Sequence, residues 1–167
     1  FDQGKIGKSE LNFLEKIISN SIQIVNLENF EIHPKKNVIV ISADHQSTLF
    51  SEAASASFHA DGWQVYSLGD MSSSIDVLFD LDLQKFLTKV WKPGTGIMVI
   101  VVFSSTEESM KFFAESVNSI KLKSRRSLYL AICGDMKKNT EIEADLIDED
   151  LEAILQWSQT TFESSVS

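Results

Sequence analysis

Asn37-Val-Ile-Val-Ile-Ser-Ala-Asp-His45 is the stretch whose reading decides the fold. Residues 38–41 are β-branched throughout, which suits a parallel strand covered on both faces. A polar Asp-His pair follows the apolar run. In open α/β sheets, ligands bind outside the carboxyl ends of the strands. A strand over 37–43 therefore carries His45 to the place where a ligand would be met. On the residues alone, His45 is a metal ligand, an acid/base group or a polar loop residue.

Working outward, Ser9 to Asn26 has apolar residues at three- and four-residue steps: Leu11, Leu14, Ile17, Ile18, Ile22 and Val25. That period predicts an amphipathic helix. A linker over 27–36 closes with His33-Pro34. Beyond the first strand, the pattern predicts a helix over 47–60, ended by Asp61-Gly62. A strand over 63–68 and a helix over 74–91 follow. Ile97 to Phe103 is the most apolar strand and therefore central. Then come a helix over 107–121, strands over 128–133 and 144–147, and a helix over 148–162. The last residues, from 163 or 164 to 167, read as a polar tail. Strands alternating with helices of this length mean right-handed crossovers and a parallel sheet. The expected fold is α/β: a flavodoxin-like, doubly wound, five-stranded parallel sheet preceded by an N-terminal helix. The expected organisation is a helical segment and linker over 1–30, a Rossmann-type domain over 31–163 and a tail over 164–167.

The chain has 167 residues, enough for one domain with a sizeable core. Lys and Arg number 15 against 24 Asp and Glu, a formal charge of −9. That sign disfavours a nucleic-acid surface, which needs clustered cations. The basic run Lys121-Leu-Lys-Ser-Arg-Arg126 suits a helix end and loop, where cations complement the helix dipole. One cysteine permits no internal disulfide and fits a reducing compartment. No run is apolar for the roughly 18–20 residues of a membrane helix, and no signal peptide is visible. The expected location is cytoplasmic. Because Phe1 stands first, the chain is expected to be a piece of a longer protein.

The usual catalytic signatures are absent. The first strand leads into Asp44-His-Gln-Ser-Thr48, which is neither a G-x-G-x-x-G nor a Walker loop. There is no G-x-S-x-G elbow. A phosphoacceptor receiver would need an Asp closing the third strand, where Phe103-Ser104-Ser105 stands instead. Three His and one Cys lie too far apart for a zinc signature, with His33 and His59 read as surface residues. Cys133 reads as a small buried hydrophobe. The strand ends nevertheless form one polar rim: Asp44, His45 and Ser47; Gly69 and Asp70; Ser104, Ser105 and Thr106; Gly134 and Asp135. Asp44 and Asp135 are carboxylates expected to orient His45 or each other. With no second catalytic group indicated, the domain is not expected to be an enzyme.

The chain resembles the cobalamin (B12)-binding domain family, in its regulator or photoreceptor version, over nearly its whole length. Phe1-Asp-Gln-Gly-Lys-Ile-Gly-Lys-Ser-Glu10 is similar to the end of that family's helical cap. Gly62-Trp-Gln-Val-Tyr-Ser-Leu-Gly69 is similar to its G-aromatic-x-V-x-x-L-G run, and Ala144-Asp145 through Ala153 to its A-D-x-x-x-x-D-x-x-E-A close. The family's D/E-x-H-x-x-G motif reads Ala43-Asp44-His45-Gln46-Ser47-Thr48, with the histidine kept and the glycine replaced by Thr48. Its S-x-L/T motif is Ser104-Ser-Thr106. Its Gly-Gly pair is Gly134-Asp135, and the cap's Glu-His is Glu10-Leu11.

By this resemblance His45 would be the axial ligand to cobalt or heme iron. Asp44, Ser47, Thr48, Ser104, Thr106, Gly134 and Asp135 would line the cofactor site. Thr48 and Asp135 put bulk where the family leaves room for the cofactor's nucleotide tail. Three states follow: cobalamin bound through altered contacts; heme in place of cobalamin, as in the family's heme-binding offshoot among photosynthesis-gene antirepressors of purple bacteria; or a cofactor-free interaction domain. The implied function is a regulatory or sensory domain of a bacterial signalling or transcription-regulating protein. It would sense a tetrapyrrole, light or redox signal, or relay one through a protein partner or neighbouring domain, without touching nucleic acid or membrane itself. The alternative is a corrinoid carrier domain serving a methyltransferase or mutase.

Overall fold

The computed structural model describes residues 31–76, 78–124, 126–136 and 141–167. The helix expected over 9–26 and the cap-like opening at 1–10 lie outside these residues. Five parallel strands form one sheet: β1 (Lys36–Ser42), β2 (Gln64–Asp70), β3 (Ile97–Phe103), β4 (Leu128–Cys133) and β5 (Leu146–Asp148). Their spatial order is β2-β1-β3-β4-β5, the doubly wound arrangement expected. Between them run α1 (Thr48–Ala60), α2 (Phe79–Val90) and α3 (Glu107–Lys123), and α4 (Leu151–Val166) closes the chain. β1 and β3 are buried along their whole lengths, as the unbroken apolar runs require.

Side chains alternate across the sheet and so build two cores. Val38 and Val40 face α1 and α4 and pack with Ala54, Phe58, Ile154 and Phe162. Ile39 and Ile41 face α2 and α3 and pack with Leu83, Leu87, Phe113 and Val117. Every crossover leaves its loop at the carboxyl end of a strand, so the polar rim gathers at one end of the sheet. Among the described residues, no helix is long and apolar enough to cross a membrane.

The structure corrects several element boundaries, three of them through an aspartate. α2 begins at Phe79, not near 74. A short 3-10 turn occupies Ser72–Ser74, and the Leu78 N–H then donates to Asp76 Oδ1 at 2.7 Å, a local turn that delays the helix. α4 begins at Leu151, not 148, because Asp150 caps it by accepting from the Glu152 N–H at 3.1 Å. The tail expected over 164–167 is helical as far as Val166. Buried Phe162 anchors that turn against Trp63, ring centroids 6.3 Å apart. The strand expected over 144–147 forms only at 146–148, since Asp145 meets β4 through its side chain, accepting from the Leu130 N–H at 2.7 Å.

One irregularity bears on the site. Val40 pairs with Ser67 but Ile41 pairs with Gly69, so Leu68 is an extra residue in β2. Gly69 takes φ +67°, a left-handed conformation that glycine adopts without a Cβ penalty. The bulge lets β2 continue to Asp70, two residues past the expected end, where Asp70 pairs with Ser42.

Candidate functional site

The loop after β1 is fixed by Asp44. Its Oδ1 accepts from the Ser47 N–H and the Ser47 hydroxyl, both at 2.9 Å. Its Oδ2 accepts from the Ser105 N–H at 2.8 Å and from the Ser104 hydroxyl at 3.4 Å. The carboxylate thus caps the 3-10 turn His45–Ser47 and joins that loop to the one after β3. Partial burial works against its charge, but the hydrogen bonds from Ser105 and Ser47 outweigh burial and hold its carboxyl below the ordinary range. Asp44 was expected to orient His45. Its lone pairs are committed to serines instead, so it shapes the loop that presents the histidine.

His45 stands on that turn with its side chain 87% exposed, and its Nδ1 lies 3.9 Å from Asp70 Oδ2. The nearby carboxylate therefore comes from the end of β2. Asp70 is held in place by the Ser72 N–H, which donates to Oδ1 at 2.9 Å. That bond, ahead of the charge of His45, keeps the Asp70 carboxyl below its usual value. This partnership was missed from sequence. Its only signal there is Gly69 immediately before an Asp at a strand end, a pattern compatible with a bulge that re-aims a side chain.

The other rim residues separate into roles. Ser47 and Ser104 are buried and serve the Asp44 network. Thr106 caps α3, its Oγ1 accepting from the Ser109 N–H at 3.3 Å. Gly134 sits against the loop after β3: a Cβ there would come within 2.5 Å of the Ser104 carbonyl and 2.2 Å of Met110 Cε. Packing alone therefore demands this glycine. Asp135, also expected to orient His45, is exposed and lines a shallow depression of about 300 Å³ with Met136, Ile147, Asp148 and Glu149. β3 lies between the strands that carry His45 and Asp135, so two strand spacings, roughly 10 Å, separate their ends. Of the two residues expected to crowd the site, only Thr48 turns inward, and its Oγ1 is buried with no hydrogen-bond partner. Such an orphaned hydroxyl costs stability.

Chemically, the rim offers one accessible imidazole backed by a carboxylate. Among the described residues, no group of three or more His, Cys, Asp or Glu could hold a metal ion. A single imidazole could fill one position on a macrocyclic metal, which would bring its own equatorial nitrogens. Apolar side chains lie on the same rim. Phe50 is exposed on the first turn of α1, and Ile75 and Leu78 are exposed just after Asp70. Beside them Leu68, Met71, Phe79 and Phe86 line a depression of about 180 Å³. Two cations of the basic run are engaged in the fold: Lys121 pairs with Asp145 at 2.6 Å, and the Arg126 guanidinium stacks on Trp91 at 3.6 Å.

No family model matches the sequence, and no curated protein does. Solved structures do match in fold. The chain is similar to the monomethylamine corrinoid protein of Methanosarcina barkeri, with 15% identity and a TM-score of 0.64 over 98% of this chain and 74% of that one. It is also similar to a cobalamin-binding protein from Desulfitobacterium hafniense DCB-2, with 16% identity and a TM-score of 0.56 over 96% of this chain and 74% of that one. At these identities the likeness is one of fold: a five-stranded parallel sheet flanked by helices.

Proposed function

We propose that this domain is a B12-binding-like module that takes a metal tetrapyrrole on His45 and serves as the sensory or regulatory part of a signalling protein. The observation that carries this reading is the exposed His45 imidazole at the carboxyl rim of β1, with the Asp70 carboxylate 3.9 Å behind its Nδ1. The exposed apolar residues Phe50, Ile75 and Leu78 support it, since a macrocycle needs apolar surface as well as a ligand. The similarity of fold to two proteins named for corrinoid or cobalamin gives it a chemical class. A bound tetrapyrrole would supply a metal with an open axial position. The protein would supply the imidazole that fills it, the loop that fixes the imidazole and the rim that shields one face.

The inward Thr48 favours a sensor that holds its group through altered contacts, because a threonine stands where the resembling family has a glycine beside the nucleotide tail. A carrier reading has its own support in the fold shared with a methylamine corrinoid protein. A methyltransferase module in the same polypeptide, or copurifying with it, would favour the carrier.

The test is a visible-absorption titration of the purified domain with hydroxocobalamin and, separately, with hemin. A saturable shift with either one that is lost in His45→Ala is the expected result. No shift with either group would overturn the reading and leave a cofactor-free interaction domain.

A further inference from the structure

We infer that Asp70 is the positioning residue for His45, accepting its Nδ1–H and leaving Nε2 as the outward-facing donor atom. This inference rests on the proposed function only for the identity of what Nε2 meets; the pairing itself rests on the chain's own geometry.

Three features build the pair. First, the strand has to be re-aimed. Side chains alternate along a strand, so one extra residue reverses the face on which every later one appears. The bulge at Leu68, turned by Gly69 at φ +67°, sets the direction of Asp70 opposite Ser42. The Met71 N–H then donates to the Ser42 carbonyl at 2.8 Å and ties the end of β2 to β1. Second, the carboxylate is pinned by one oxygen. Oδ1 accepts from the Ser72 N–H at 2.9 Å, which leaves Oδ2 toward the imidazole. Third, the competing acid is engaged elsewhere. Asp44 is the immediate neighbour of His45, yet both its oxygens are taken by Ser47, Ser104 and Ser105. The residue two before His45 is Ala43, which is buried and has no acceptor.

A metal-ligating histidine usually donates its second ring N–H to a carboxylate or carbonyl, which fixes the tautomer and raises the basicity of the ligating nitrogen. Here the available group is Asp70 Oδ2. The 3.9 Å separation is an ion-pair distance, longer than a hydrogen bond. Such contacts tighten when the site is filled.

The experiment has two arms. In the first, ¹⁵N NMR of the histidine-labelled domain, at a pH where the imidazole is neutral, reads the tautomer of His45. The wild type is expected to favour Nδ1–H, and Asp70→Ala to lose that preference. Asp70→Asn, which keeps an acceptor oxygen, is expected to retain part of it. In the second, hydroxocobalamin and hemin are titrated into the same proteins, and the group that binds the wild type is expected to bind Asp70→Ala roughly 10–100-fold more weakly. An unchanged tautomer in Asp70→Ala overturns the inference. A tautomer that responds to Asp70, in a domain that binds neither group, upholds the pairing and overturns the proposed function instead. Urea midpoints of all variants separate these outcomes from loss of fold.

Discussion

Asp44 Oδ2 and the backbone N–H of Ser105 meet at 2.8 Å, and this bond joins the carboxyl ends of β1 and β3. The two residues are 61 positions apart in sequence. The contact decides the shape of the rim, because the same carboxylate caps the turn that carries His45.

Replacing Asp44 by Ala removes this junction, leaves the Ser105 N–H without its acceptor and leaves the Ser47 N–H only its longer bond, at 3.3 Å, to the backbone carbonyl of residue 44. The expected loss is about 1–3 kcal/mol of stability, read from urea or thermal unfolding. Asn should be milder, since it keeps one acceptor oxygen.

Stability should also fall in acid. The Asp44 and Asp70 carboxyls are both held below their ordinary 3.8, so the folded state binds a proton less readily than the unfolded one. Their contribution is present above the unfolded value and is lost as pH falls through the lower folded values. Unfolding midpoints measured from pH 6 downward should drop below about pH 4, and the drop should be shallower in Asp44→Ala. A profile identical to wild type in that variant would contradict the role given to this carboxylate.

Gly134→Ala should destabilise the domain by roughly 1–3 kcal/mol, because the new methyl meets the Ser104 carbonyl as well as Met110. The methionine can move, but the backbone carbonyl cannot do so cheaply. Met110→Ala in the same protein should therefore relieve only part of the loss. Full rescue would show that the carbonyl contact is unimportant.

Cys133 should be unreactive. Burial, reinforced by Asp148, Asp150 and Glu149, pushes its thiol up to about 11. Almost no thiolate exists at pH 8, and thiolate is the reactive form. A thiol-titrating disulfide reagent at pH 8 should react slowly with the native domain and quickly in urea. Fast native labelling would contradict the burial.

Thr48→Gly should raise hydroxocobalamin affinity if bulk at this position obstructs the nucleotide tail, at a cost of roughly 0.3 kcal/mol in helix propensity. Asp135→Gly should change little, because the Asp135 side chain is already exposed. If only the Asp135 variant gained affinity, the obstacle would lie beside β4.

The fold was legible because the buried strands advertise themselves. Val38–Ile41 and Ile97–Phe103 can only be strands sealed on both faces, and the helices between them dictate parallel crossovers. Three of the boundaries that failed are set by aspartate side chains. Asp76, Asp145 and Asp150 each satisfy a backbone N–H, which hydrophobic periodicity does not register. For the site, the position of His45 was readable from one strand and its loop. Its partner was not. Asp70 reaches it through a bulge in a neighbouring strand, and Asp44, adjacent in sequence, is drawn away by serines 60 and 61 residues distant. Sequence spacing carries local register, whereas those relationships depend on which strands lie side by side.

The proposed function requires that a nitrogen of His45 bind a tetrapyrrole metal. The most direct measurement is electron–nuclear double resonance on ¹⁵N-histidine-labelled domain mixed with cob(II)alamin and, separately, with ferric heme. Strong ¹⁵N coupling from one directly bound protein nitrogen is expected with one of the two, absent in His45→Ala. No such coupling with either group, or coupling that survives in His45→Ala, would contradict ligation by His45.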